Sequence, residues 1–123
     1  MAEAVPDARR LVRSALHTWS MDGAIDDAAV VVSELASNAV RHGAGRSMEI
    51  RVTRLDSERV RVAVTDRSRI LPVIRQPEDD DPAGRGLHLI AALSEVWGTE
   101  LLTQGKTVWS EHRVRPPSNP ERR

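Results

Sequence analysis

The sequence predicts an α+β domain, a two-layer sandwich in which helices cover one face of a mostly antiparallel sheet. Three observations carry that expectation. Stretches in the first third repeat their apolar residues at helical spacing, later stretches alternate apolar and polar residues, and these alternating runs follow one another as hairpins rather than in strict βαβ succession. The 123 residues suit one compact core. The expected domain covers residues 1–115, with a disordered tail over 116–123 that begins near Pro116 and Pro117.

Between Pro6 and Trp19 the residues Ala8, Leu11, Val12, Ala15, Leu16 and Trp19 fall on one helical stripe, with Pro6 where a helix starts. After a turn over Ser20 to Gly23, a longer helix is expected from Ala24 to His42, stopped by Gly43 and Gly45. The period then drops to two. Met48, Ile50 and Val52 form one strand and Val60, Val62 and Val64 the next, joined at Asp56 to Glu58. From Arg67 to Ala83 three prolines and the acidic run Glu78 to Asp81 predict a long loop, of the kind that in compact domains is usually functional. Leu87, Ile90, Ala91 and Ser94 predict a short helix. Val96 to Thr103 and Thr107 to Val114 predict a second hairpin turning at Gln104 to Lys106.

Composition closes several functional classes. Aromatic residues are only 2%, with no Phe and no Tyr, so the core must be aliphatic and Trp19, Trp97 and Trp109 supply its only large rings. A formal net charge of +0 offers no field to gather phosphate backbones, and the scarcity of rings removes stacking platforms, so a direct nucleic-acid binder is not expected. Without Cys there is neither a disulfide framework nor a thiolate zinc site, and His17, His42, His88 and His112 lack metal-ligand spacing. No apolar run approaches the roughly 20 residues that span a bilayer, and the N-terminus lacks a signal peptide's apolar core, so no membrane association and a cytoplasmic location are expected.

Candidate chemistry lies at four places. Glu34, Asn38 and His42 stand at successive helical turns on one face, opposite the apolar stripe. Taken alone that face reads first as a solvated surface; the functional alternative is an acid or base beside an amide oxygen, a hard ligand suited to Mg²⁺ held mainly by phosphates. Asp66 ends an alternating strand, where a carboxylate either opens a turn or accepts a hydrogen bond from an exocyclic amine. Gly84-Arg85-Gly86-Leu87 joins the long loop to a helix, and its two glycines allow backbone N–H groups to approach an anion; the same sequence also makes an ordinary loop-to-helix joint. Lys106 and Thr107 follow Gly105, but no earlier glycine stands at the spacing of the G-x-x-x-x-G-K-[ST] phosphate loop, so that motif is absent.

Taken in order, these four elements resemble the GHKL superfamily of ATP-binding domains shared by gyrase, Hsp90, histidine kinases and MutL. The resemblance is closest to its small single-domain branch, the anti-sigma-factor serine kinases and related actinobacterial regulators, and covers about Ala8 to Val114. VVSELASNAVRHG resembles the first ATP box, which implies Glu34 as the catalytic acid or base and Asn38 as the Mg²⁺ ligand, with His42 beside the cofactor. Asp66 matches the aspartate that reads adenine, although neither glycine of the usual Asp-x-Gly-x-Gly follows it. GRGLHLI, with Gly84, Arg85, Gly86 and Leu87, matches the third box, and GKTVW, with Thr107, the final strand. The resemblance thus implies ATP and Mg²⁺ as cofactors and a lid over residues 67–85. It further implies a serine/threonine protein kinase acting as an anti-sigma factor, whose partners are an antagonist protein carrying the acceptor serine and a sigma factor, and possible homodimers. Two other readings stand beside it: an ATP-gated interaction module without turnover, and a nucleotide-free scaffold of the same fold.

Overall fold

A computed structural model of the chain describes residues 4–42, 47–69 and 82–114. Helices α1 (Ala4–Thr18), α2 (Ile25–His42) and α3 (Pro82–Leu93) lie with strands β1 (Glu49–Arg54), β2 (Arg59–Asp66), β3 (Val96–Leu102) and β4 (Gly105–Arg113). The strands form one open antiparallel sheet in the order β1-β2-β4-β3, so the expected α+β architecture is the one observed. The greater part of the long loop, residues 70–81, and the tail from 115 onward lie outside the described residues.

Helix α1 ends because Ser20 adopts φ 58, the left-handed conformation that reverses the chain. The Ser20 N–H donates to the His17 carbonyl at 3.0 Å and the Met21 N–H to the Leu16 carbonyl at 2.7 Å, which satisfies two carbonyls the helix would otherwise leave open. This tight exit buries Met21 and sends the chain through a 3-10 turn at Asp22–Ala24 into α2. Helix α2 is the central element: it packs on α1, on α3 and on the sheet through β2.

The alternation read in β2 is borne out: Val60, Val62 and Val64 are buried under the helices, while the residues between them face the other side. Together with Val12, Leu16, Val31, Val32, Leu87 and Ile90 they make the aliphatic core that the absence of Phe and Tyr required. Trp19 and Trp97 pack only against its margin. Trp109 lies on the opposite face of the sheet, because it is paired with Ala63 and Gly98 rather than with the valines. There its indole fills the space above Gly98, where an added Cβ would come within 2.7 Å of the ring, and the Arg61 guanidinium stacks over it at 4.6 Å. Glu111 accepts a hydrogen bond from Arg61 Nε at 3.0 Å, so this outer face is covered by a polar and aromatic cluster instead of helices.

At the C-terminal end of α3 the buried His112 ties helix to sheet. Its Nδ1 lies 3.1 Å from the Leu93 carbonyl and its Nε2 2.9 Å from Ser110 Oγ, so Nδ1–H donates and Nε2 accepts. Burial pushes the imidazole pKa below its ordinary value of 6.5, although the Leu93 carbonyl and the Asp27 carboxylate pull the other way. A depressed folded pKa means that the unfolded chain takes up the proton first. The stability from neutral His112 is thus fully present above pH 6.5 and declines as the pH falls below that value toward and through the folded pKa. Urea titrations between neutral and mildly acidic pH should show this decline, and His112→Gln should flatten it; an unchanged slope in the variant would assign the effect elsewhere.

Candidate functional site

Helix α2 carries Glu34 and Asn38 one turn apart, both half-buried, above the apolar residues Val31, Val32, Leu35, Ala36 and Ala39. Glu34 makes no hydrogen bond or ion pair among the described residues. Asn38 Oδ1 is enclosed and has no hydrogen-bond partner among the described residues. An amide oxygen withdrawn from water without a donor is unfavourable by about 1–3 kcal/mol, so its retention inside a helix calls for something to complete it. A hard cation fits: carbonyl-type oxygens are proper ligands of Mg²⁺, which is normally bound by one or two protein groups with substrate phosphates. No group of three or more His, Asp or Glu able to hold a metal occurs among the described residues. His42 ends α2, and its side chain lies outside what the structure describes.

Asp66, the last residue of β2, is 6% exposed and faces the helix layer like the valines before it. Its partner was not foreseen from the sequence. Lys106, 4% exposed and directly opposite in the register, places Nζ 3.0 Å from Asp66 Oδ1 and 3.1 Å from Oδ2, and donates also to the Ser68 carbonyl at 3.3 Å. The Ser68 N–H donates to Asp66 Oδ1 at 2.8 Å, turning the chain out of the strand. Among the described non-glycine residues only Ser20 has a positive φ. Ser68, at the first of the two positions where the usual motif has glycine, therefore takes this turn without a positive φ, while Ile70, at the second, lies outside the described residues.

Thr107 is not brought to this group. Alternation along β4 sends Lys106, Val108, Ser110 and His112 toward the helices and Thr107, Trp109 and Arg113 away. Thr107 Oγ1 instead shares a 2.7 Å hydrogen bond with Thr65 Oγ1 on the outer face. The residue of GKTVW that meets Asp66 is Lys106. Counting back by twos from the buried Val108 would have identified it.

The third element also differs from expectation. Gly84, Arg85 and Gly86 do not precede α3 but lie within it, since the helix begins at Pro82. Proline at the first helical position has no N–H to waste and a φ already suited to the helix, which outweighs the helix-weakening glycines behind it. Backbone N–H groups of the first turn remain without helical acceptors, so the element keeps its ability to meet an anion. Leu87, at 1% exposure, has its side chain in the core and fixes α3 against the rest of the fold.

Residues 1–110 match the family described as the histidine kinase-like ATPase domain. The chain is 34% identical over 89 residues to an uncharacterized protein of Streptomyces coelicolor, covering 70% of this chain and 85% of that protein. It is similar in structure to full-length ShkA, solved in complex with AMPPNP: 94% of this chain is covered, with a TM-score of 0.60 and 19% identity. The chain spans 30% of ShkA's length, and at that identity the likeness is one of fold.

Proposed function

This chain belongs to the histidine kinase-like ATPase domain family, and from that membership we propose that it binds Mg-ATP with Glu34, Asn38, Asp66 and the first turn of α3 and uses it as a regulatory serine/threonine kinase. The observation that carries the proposal is Asn38 Oδ1, enclosed and unsatisfied one turn from Glu34. An amide oxygen in that state is a hard ligand, suited to the metal that accompanies a triphosphate. Asp66 supplies the second anchor, a buried carboxylate able to accept from an adenine amine.

In this proposal Asn38 holds the cation, and Mg²⁺ supplies neutralisation of charge on the phosphate oxygens. The N–H groups at the start of α3 receive a phosphate oxygen. Glu34 orients the acceptor hydroxyl and takes its proton as the hydroxyl oxygen bonds to the γ-phosphorus. The bond from that phosphorus to the bridging oxygen breaks, and ADP leaves. The acceptor is a serine on a small antagonist protein, and the second partner is a sigma factor; both rest on the sequence resemblance, as do the residue 1–115 domain limits. No helix among the described residues is long and apolar enough to cross a membrane.

Titration with a fluorescent ATP analogue, with and without Mg²⁺, tests the binding. Asn38→Ala should weaken Mg-dependent binding by about tenfold or more, while Glu34→Ala should bind within about twofold of wild type and abolish transfer of label from γ-labelled ATP to a serine-bearing antagonist. Binding that ignores both Mg²⁺ and Asn38 would overturn the site. Binding with no transfer to any candidate would instead support the ATP-gated module.

A further inference from the structure

We propose that Lys106 is a base-selectivity residue: by occupying the Asp66 carboxylate it leaves room for a single N–H donor, which admits adenine and rejects guanine. The inference rests on the nucleotide reading above and deepens it. An ionised carboxylate offers about four acceptor positions on its two oxygens. Here Oδ1 receives the Ser68 N–H at 2.8 Å and Lys106 Nζ at 3.0 Å, while Oδ2 receives Lys106 Nζ at 3.1 Å. Among the described residues one position remains, on Oδ2.

Adenine asks for no more than one. Its exocyclic amine presents an N–H beside the acceptor N1, so a lone carboxylate position satisfies it. Guanine in the same pose would turn its O6 lone pairs toward the carboxylate, which repels them. Its other option is to shift so that N1–H and N2–H fork onto both oxygens, a pairing that a free carboxylate makes well and that Ser68 and Lys106 together deny. The denial is built into the fold rather than into a flexible side chain. Lys106 is 4% exposed, it lies directly opposite Asp66 in the β2–β4 register, and its ammonium is held a third time by the Ser68 carbonyl at 3.3 Å. Lys106 does not touch the base in this scheme; it acts by deciding how much of Asp66 the base can use.

The test compares Mg-ATP, Mg-GTP and Mg-ITP on the full chain by competition against a fluorescent ATP analogue. Hypoxanthine has guanine's N1–H and O6 but no 2-amino group, so ITP asks whether a second donor finds an acceptor. In the wild type, ATP should bind at least about tenfold more tightly than GTP, and GTP and ITP should bind equally weakly, within about twofold. In Lys106→Met, which keeps the chain length and frees the carboxylate, the preference for ATP over GTP should fall by about tenfold, with GTP now ahead of ITP. Should that variant fail to fold, as judged by far-UV circular dichroism, the wild-type comparison of GTP with ITP still decides. A wild type in which GTP clearly exceeds ITP, or a folded Lys106→Met with unchanged selectivity, overturns the inference while leaving the nucleotide site intact. No binding by any of the three nucleotides defeats the site reading itself, and the inference with it.

Discussion

Asp66→Ala is expected to destabilise the protein by about 3–5 kcal/mol, because it strands a buried ammonium. Lys106 is 4% exposed and two of its three hydrogen-bonding contacts are the Asp66 oxygens. Removing the carboxylate leaves that charge out of water with only the Ser68 carbonyl, and the Ser68 N–H loses its acceptor as well. The expected loss is a large share of the 5–15 kcal/mol typical of a domain. Asp66→Asn should lose less, since an amide oxygen still accepts. Asp66→Ala combined with Lys106→Met removes both charges and should recover most of the stability, because replacing a buried pair by apolar groups is often nearly neutral. Urea unfolding of the four proteins checks the ordering. If the single alanine variant loses less than about 1 kcal/mol, the ammonium reaches water by another path and the pair is not buried in effect.

Gly105→Ala should be almost as damaging, for steric reasons. Gly105 has φ +144, a conformation in which side chains are strained, and a Cβ there would lie 2.0 Å from the Asp66 carbonyl oxygen and 3.0 Å from the Arg67 Cα. Both obstacles are backbone, so neither can swing aside. Strain of this kind is worth on the order of 3 kcal/mol before any displacement of the strand end. The clash falls where β2 delivers Asp66, so nucleotide binding should weaken along with stability. Gly98→Ala makes the useful contrast. Its Cβ would meet the Trp109 ring at 2.7 Å, but a side chain can move, so the loss should be smaller. Thermal unfolding distinguishes the two, and a Gly105→Ala variant as stable as Gly98→Ala would contradict the backbone geometry.

The fold was legible because its signals were periodic. The valines of β2 alternate without interruption, and the apolar stripe from Val31 to Ala39 on α2 is buried as its spacing requires, with Glu34 and Asn38 half-buried at its edge. The site was harder to read at its edges, for two physical reasons. On a strand, adjacent residues take opposite faces: Thr107, which the resemblance implied, has its hydroxyl on Thr65, while the ammonium of its neighbour Lys106 meets Asp66. On α3, glycines argue locally for a loop, while the proline ahead of them and the burial of Leu87 and Ile90 behind them argue for helix. Packing decided that contest, as it commonly does when propensities amount to about 1 kcal/mol per residue. The enclosed oxygen of Asn38 could be recognised only from the structure, since a sequence does not state which hydrogen bonds go unmade.

The placement of the three indoles has a practical outcome. With no tyrosine in the chain, near-ultraviolet absorption and emission come from tryptophan alone. Trp19 and Trp97 border the aliphatic interior, whereas Trp109 lies across the sheet beneath the Arg61 guanidinium. Substituting both of the first two would thus leave a spectroscopic signal from the reverse side of the sheet alone. Substituting Trp109 would leave one that follows the packed layer, giving two optical windows on the two faces without any added label.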